Sequence, residues 1–278
     1  MSADRLHWLQ QWLPLPVRPG EPRAAAAVRF AQSLDACAAS GTLVEGPGGV
    51  VCVRREPWDC ERLGLEAGKL EHLAVADAEA GALLVERALQ RAREQALVHL
   101  SCRLDSRDYP GAGALRRTGF DLVDLVVTLG LDLTSPPATA PAAVRRATAA
   151  DADALAELSG RAFSTRGDSY NRYLNDAGLP PAAAREVYGH WARTSIAGPA
   201  ADLTLLIEES GQLAGFLTLC LPADGVARVP LNAVDSRFRN RGLYRQLVLA
   251  ALGEAGAAGA RRIEITTQLQ QAAIQRTW

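Results

Sequence analysis

The chain has 278 residues, with 30 basic and 31 acidic side chains. Charge so close to balance argues against nucleic acid as a partner, and no basic helix points to a membrane surface. A hydrophobic share of 48% is ample for packed cores, and the length suits two modest domains or one large one.

Lys69 is the sole lysine, and scattered arginines supply the remaining positive charge. That pattern reads as codon bias. Cys37, Cys52, Cys60, Cys102 and Cys220 are odd in number and widely spaced, with no C-x-x-C pair. Neither a disulfide framework nor a metal site is expected, and reduced thiols in a cytoplasmic protein fit better. His7, His72, His99 and His190 do not cluster with them. The N-terminus lacks an apolar stretch followed by a cleavage site, so no signal peptide is expected. No apolar run approaches bilayer-spanning length.

In the first half, apolar spacing predicts a helix over 23–39, ending near Gly41. Strands follow at 49–54 and 70–75, then a long helix over 78–95. A buried strand is expected at 97–103, a short helix at 113–118, and a strand or hairpin arm within the apolar run 120–133. Residues 134–143, Thr-Ser-Pro-Pro-Ala-Thr-Ala-Pro-Ala-Ala, read as an extended linker. The expected organisation is a first domain over 1–133, this linker, and a second domain over 144–278.

The second half opens on a short strand from Val144. A helix over 152–162 follows, with Thr148 or Asp151 as N-cap. A second helix spans 181–195, and strands 203–208 and 212–220 form a hairpin at Gly211. A strand over 227–234, a helix over 244–258, a strand over 262–267 and a helix begun at Gln271 complete the order. The class is α/β with a mixed α+β sheet. Leu73-Ala-Val-Ala-Asp77 and Leu231-Asn-Ala-Val-Asp235 occupy equivalent places in the two halves, which points to an internal structural repeat.

The most informative stretch is Val234-Asp235-Ser236-Arg237-Phe238-Arg239-Asn240-Arg241-Gly242-Leu243-Tyr244-Arg245. A strand ending in an Arg/Gly loop that feeds a helix is an anion site. Helix N-terminal amides lack partners and the helix dipole favours negative charge. Gly242 permits close backbone approach. Arg239, Arg241 and Arg245 add positive charge, and the natural guest is a phosphate or pyrophosphate. In the first half Ala78-Glu79-Ala80-Gly81 stands in the equivalent place, and an acidic loop repels such a guest. One cofactor site is therefore expected, in the second half.

Arg239-x-x-Gly242-x-Tyr244 resembles the acetyl-CoA loop of the GNAT acetyltransferase superfamily, with Tyr244 in place of a small residue. Three further segments run Trp58-Asp59 to Leu70, Asp176 to Ser195, and Thr267 to Trp278. In their order they resemble two-part acetyltransferases of the TDP-fucosamine (dTDP-amino-sugar) kind, with an incomplete N-terminal GNAT-like half and a complete C-terminal one. The resemblance implies an N-acetyltransferase that uses acetyl-CoA on a primary amine by direct attack in a ternary complex. The acceptor would be a small molecule, a nucleotide-linked amino-sugar first among them. Asn232, Ala233, Val234 and Gln271 would hold the pantetheine arm. Arg239, Asn240, Arg241, Gly242, Leu243 and Tyr244 would hold the pyrophosphate. Trp58, Asp59, Tyr170, Tyr188 and Trp191 are the candidate acceptor-side residues, and Asp168 the candidate base, with His190 behind it.

For each of these a structural role stands beside the functional one. Asp59 can form a turn after Pro57-Trp58, and Tyr188 and Trp191 share a helix face suited to core packing. The family's last helix usually carries a Tyr that protonates the leaving thiolate. Trp278 stands there, and an indole has no useful acid proton. The chain ends where the family would continue into its last strands, so an apolar sheet edge is expected to lie open. Such an edge invites a partner, a homodimer included. Two readings remain beside the amino-sugar one: a tandem GNAT acting on another small amine, and a non-catalytic protein that only senses acetyl-CoA.

Overall fold

The computed structural model describes residues 21–46, 48–134, 143–163, 171–221 and 224–278. The chain divides into two compact units, Met1–Leu122 and Val123–Trp278.

In the first unit, helix α1 (Arg23–Ala39) precedes strands β1 (Leu43–Gly46) and β2 (Gly49–Arg55). Helix α2 (Pro57–Leu63) then leads to β3 (Ala67–Val75), α3 (Ala78–Glu94), β4 (His99–Cys102) and α4 (Tyr109–Arg117). The sheet order is β1-β2-β3-β4. The first three strands are antiparallel, and β3 and β4 run parallel with α3 between them. Successive β2 side chains point to opposite faces, and both faces are covered. Val50 and Cys52 pack with Ala27, Phe30 and Leu34 of α1, while Val51 and Val53 pack with Leu84, Val85 and Ala88 of α3. That is why β2 reads as a continuous apolar run with no alternation.

The expected acidic loop at residues 78–81 is helical. Asp77 is the N-cap of α3 and accepts from the amides of Glu79 at 2.9 Å and Ala80 at 2.8 Å. The cap fills the helix start with a carboxylate of its own chain. Strand β1 and helix α2 are absent from the sequence expectations. Asp59, read there as a possible turn former after Pro57-Trp58, lies within α2, and Pro57 sits in the first turn of that helix, where its missing amide proton costs nothing.

The second unit holds β5 (Val126–Asp132), β6 (Val144–Arg146), α5 (Ala152–Phe163), α6 (Arg172–Asn175) and α7 (Pro181–Ala197). It continues through β7 (Leu203–Glu209), β8 (Gln212–Leu219), β9 (Val226–Val229), β10 (Asn232–Val234), α8 (Leu243–Ala257), β11 (Arg262–Gln268) and α9 (Ala272–Thr277). Thr148 caps a 3₁₀ turn, Ala149–Asp151, that runs into α5, its amide and hydroxyl both donating to Asp151 Oδ2 at 2.7 and 2.9 Å. Two sheets form, β10-β8-β7-β6 and β5-β11-β9. Helix α8 covers both with Leu243, Leu247, Val248 and Ala251, against Leu205, Leu217, Val229, Ile263 and Ile265. Helices α5 and α7 pack on each other, and the buried Ser159 hydroxyl donates to the Tyr188 carbonyl at 2.9 Å.

Strand β5 departs from the expected domain limits. The run 120–133 was assigned to the first half, yet residues 126–132 pair antiparallel with β11 along its whole length, Arg262↔Asp132 to Gln268↔Val126. An unpaired edge of β11 would leave a row of amides and carbonyls unsatisfied, and β5 satisfies it. The apolar edge expected to lie open at β11 is thus occupied, and the units divide before β5.

Replacing Asp77 with Ala removes both cap bonds of α3. Stability is expected to fall by about 1 kcal/mol, with Asp77→Ser recovering most of it. The check is the midpoint of urea unfolding at constant slope.

Candidate functional site

The strand expected over 227–234 is two strands in the structure, parted at Pro230, which has no amide proton to give a neighbour. Before it, β9 pairs parallel with β11, Val226↔Arg262 to Val229↔Ile265. After it, β10 pairs antiparallel with β8, Asn232↔Leu217 to Val234↔Gly215. Buried Thr218 stitches the break. Its hydroxyl donates to the Leu231 carbonyl and accepts from the Leu231 amide, each at 2.9 Å. Beyond Ile265, β11 pairs only with β5 among the described strands. The two sheets therefore part, leaving a split with residues 232–234 on one arm and 266–268 on the other.

Antiparallel ladders use alternate residues for their bonds. Leu231 accepts from the Thr218 amide and Asp235 donates to the Ala214 carbonyl. The intervening pattern turns the backbone groups of Asn232 and Val234 away from β8, toward the split. An extended ligand laid there meets the polar edge of a strand.

At the end of β10, Asp235 is 4% exposed. It accepts from the Arg237 amide at 3.0 Å, from the Arg237 guanidinium at 3.0 and 2.8 Å, and from Arg161 of α5 at 3.1 Å. The Arg237 hydrogen bonds, with help from Arg161, hold its carboxyl well below the usual carboxylate range against the opposing effect of burial. This node fixes the direction in which the chain leaves the strand. A single 3₁₀ turn, Ser236–Phe238, follows, with Phe238 buried beneath the guanidinium groups of Arg237 and Arg241.

The loop then reaches α8 through two residues in the left-handed region, Asn240 at φ 62° and Gly242 at φ 75°. Gly242 is the N-cap of α8 and has no side chain to cap it. The first helical bond runs from the Gln246 amide to the Gly242 carbonyl, so the amides of Leu243, Tyr244 and Arg245 have no intrahelical acceptor. Arg239, Asn240, Arg241, Gly242 and Arg245 are exposed around this helix start. Arg241 is tied to Glu209 at 3.3 Å and to the Arg237 carbonyl at 3.3 Å. The site offers an uncapped dipole, unsatisfied amides and guanidinium groups to an anion, at the end of a split that accepts an extended chain.

Tyr244 is in the first turn of α8. Its hydroxyl donates to Asn232 Oδ1 at 3.0 Å and accepts from the Trp278 indole N–H at 2.8 Å. Burial pushes its phenol well above the ordinary range, and the Trp278 bond opposes that shift. Sequence reading treated Tyr244 and Trp278 as separate departures, and the structure joins them. Gln271 is the N-cap residue of α9, its amide bonded to the Gln268 carbonyl at 3.0 Å.

Of the acceptor-side candidates, Tyr188 is 7% exposed. Its ring stacks on Phe163 at 4.3 Å, meets Tyr173 edge-on at 5.9 Å and lies 6.0 Å from Trp191. These contacts place it among packed rings of α5, α6 and α7. His190, on α7, is 3.9 Å from Glu186. Trp58 and the buried Asp59 lie on α2 of the first unit. Asp168 and Tyr170 fall outside the described residues. Sequence reasoning missed the Arg161–Asp235 pair, although a buried aspartate directly after a strand and before a turn is a cap signal. Among the described residues, no group of three His, Cys, Asp or Glu side chains could hold a metal, and no helix is long and apolar enough to cross a membrane.

An open strand edge that leads to an uncapped helix start is a geometry suited to a phosphate-bearing, extended ligand. Residues 168–278 match the acetyltransferase (GNAT) family. No curated protein matches the chain in sequence. Among solved structures it is similar to a GCN5-related N-acetyltransferase from Sphaerobacter thermophilus, at 15% identity and a TM-score of 0.54, covering 83% of this chain and 72% of that one. It is also similar to a functionally unknown conserved protein from Staphylococcus epidermidis ATCC 12228, at 13% identity and a TM-score of 0.53, covering 84% and 86%. At these identities the likeness is one of fold.

Asp235→Asn tests the node at the strand end. A carboxyl whose folded pKa is depressed contributes stability that is present above its unfolded value of about 3.9 and lost as pH falls through the folded value. The variant is expected to be less stable than the parent at pH 7 and to lose less stability in acid. Urea midpoints measured from neutral pH to below about 4 check this.

Proposed function

We propose that the second unit transfers an acetyl group from acetyl-CoA to a primary amine of a small molecule by direct attack. The observation that carries this reading is the split between β10 and β11, closed at one end by the uncapped start of α8. Asn232 and Val234 would hold the pantetheine arm by their outward backbone groups, with Ala233 between them and Gln271 across the split. The amides at Gly242, Leu243 and Tyr244, with Arg239, Asn240 and Arg241, would hold the pyrophosphate. Bound there, the thioester supplies an activated acyl carbon. The chain's own contribution is position and oriented hydrogen bonds, the larger part of catalysis when no covalent intermediate is needed.

The acceptor we infer is a nucleotide-linked amino-sugar. The order of the three segments around Trp58, Tyr188 and Gln271 supports that reading. So does a first unit that repeats the topology of the second: antiparallel strands, then a strand, a helix and a parallel strand. We read that unit as an incomplete half of the same fold. Asp168 remains the proposed base, with Tyr170, Tyr188 and Trp191 on the acceptor side. Five free cysteines suit a cytoplasmic enzyme.

Calorimetric titration with acetyl-CoA tests the cofactor assignment. A Cβ at Gly242 meets nothing within 4 Å, so Gly242→Asp leaves the packing intact and costs only the strain of a side chain at φ 75°. Its carboxylate stands where phosphate must sit, and the variant is expected to stay folded and lose acetyl-CoA binding. Arg239→Ala is expected to weaken binding by about 1.5–3 kcal/mol, the range for a charge-assisted hydrogen bond. A Gly242→Asp chain that binds like the parent would sink the assignment. Thiol release from acetyl-CoA, compared across dTDP-amino-sugars and simple amines, tests the acceptor.

A further inference from the structure

Two cysteines of the first unit meet in a place that the split and the helix start do not explain. Side chains of β2 alternate between its faces, and Cys52 points with Val50 toward α1, where it is fully buried. The end of α1 comes down beside it. The Cys37 carbonyl accepts from the Thr42 amide at 2.9 Å and the Thr42 hydroxyl at 3.1 Å. The next residue, Leu43, is the ladder partner of Cys52. The Cys37 side chain packs against the cluster that contains Cys52, and the two thiols lie within hydrogen-bonding reach of each other. The two differ in exposure. Cys37 is partly exposed and open to a reagent in solution, whereas Cys52 is buried. Burial, and after it the hydrogen bond to Cys37, pushes the Cys52 thiol well above the ordinary thiol range. The remaining cysteines sit elsewhere. The Cys60 sulfur is engaged by both backbone groups of Ala67, Cys102 packs on the α3 side of the sheet, and Cys220 belongs to the second unit.

We propose that Cys37 and Cys52 form a reversible disulfide that latches the last turn of α1 to β2 when a small organic disulfide is in excess over its thiol. Cys37 is the attacking residue and Cys52 the resolving one. The Cys37 thiol gives its proton to solvent, and the thiolate attacks one sulfur of the oxidant. A bond forms to Cys37, the oxidant's own sulfur–sulfur bond breaks, and its electron pair leaves on a thiolate that takes up a proton. Cys52 then attacks the Cys37 sulfur. The bond to the second oxidant sulfur breaks, and the Cys52 proton passes to that departing thiolate. The two protein thiols lose two electrons, and the oxidant gains them and leaves as two thiols. Cys52, being buried, reacts only through Cys37. Helix α1 is otherwise held on this face by the apolar contacts of Ala27, Phe30, Ala31 and Leu34. A covalent bond at its last turn closes a loop over residues 37–52 and restricts the unfolded chain, which stabilises the folded unit. In a reducing compartment the pair stays open.

The test uses the full chain, reduced, freed of reductant and equilibrated with oxidised and reduced glutathione at a series of ratios. Remaining thiols are blocked and the chain is digested for mass spectrometry. No arginine or lysine lies between Phe30 and Arg54, so trypsin releases both cysteines in one peptide, and cleavage after Glu45 then leaves two pieces held only by the disulfide. That joined pair should rise with the oxidised share and vanish when reduced glutathione is restored, while Cys60, Cys102 and Cys220 are recovered blocked. The urea midpoint of the oxidised chain should exceed that of the reduced chain. Cys52→Ala should stop at the mixed disulfide, with glutathione on Cys37, and Cys37→Ala should leave Cys52 unmodified. Far-ultraviolet circular dichroism confirms that each chain is folded. Absence of the joined pair from the folded parent at every ratio overturns the proposal, as does glutathione resting on Cys37 while Cys52 is recovered as a thiol. A joined pair with an unchanged urea midpoint overturns the latch.

Discussion

The second unit depends on a hydrogen bond that cannot be made. Pro230 has no amide proton, and the run that contains it keeps only one of its two neighbours past that point. It pairs with β11 only before the proline, while the opposite side is held on both sides of it, by Arg228 on Cys220 and by residues 232–234 on β8. The break costs backbone pairing on both arms, and Thr218 offsets part of that cost by satisfying both polar groups of Leu231. What remains unpaired is the outward edge of β10, and that edge gives a ligand something to bind.

A split alone would hold an extended chain in no fixed register. The Asp235 node supplies the register. Its carboxylate is bound by a guanidinium two residues ahead and by another from α5, so the loop leaves β10 in one direction. Phe238 anchors the middle of the loop, and the left-handed residues Asn240 and Gly242 turn it into α8. Each device is local, and together they place an uncapped helix start at the end of an open strand edge. The first unit shows the contrast. It has a parallel strand–helix–strand crossover too, but Asp77 caps its helix with a carboxylate and occupies the amides an anion would need.

Much of this was legible in the sequence because the signals are local. Helix limits followed apolar spacing and caps: 23–39 was predicted as found, and Thr148, read as a cap, marks a real helix start. The Arg/Gly loop was visible because a glycine with adjacent arginines between a strand and a helix has few other uses. The features missed depend on distant partners. Strand β1 is too short for a pattern, and the four-residue α6 is set by the Asn171 cap. The strand break follows from Pro230, a signal that was present and unused. That Tyr244 meets Trp278 is a contact between an α8 residue and one beyond β11, and no spacing rule reaches that far. The run 120–133 was read as a strand or hairpin arm of the first half, and its residues 126–132 pair with β11 of the second unit, because alternation reveals a strand's faces and says nothing of its edges.

That last pairing also governs how the molecule can be made. Thr128 and Thr266 share a hydrogen bond across 138 positions of sequence, so β5 leaves the ribosome long before β11 exists. Its apolar segment Val126-Val127-Thr128-Leu129-Gly130-Leu131 carries no charge and no proline, the composition that pairs readily with any open edge. Closing so long a loop is slow. During synthesis the first unit can complete its own sheet, while the second must wait with this strand unpaired. The step most exposed to aggregation is therefore the interval between β5 and β11, and it is set by chain order, independently of how stable the finished sheet becomes.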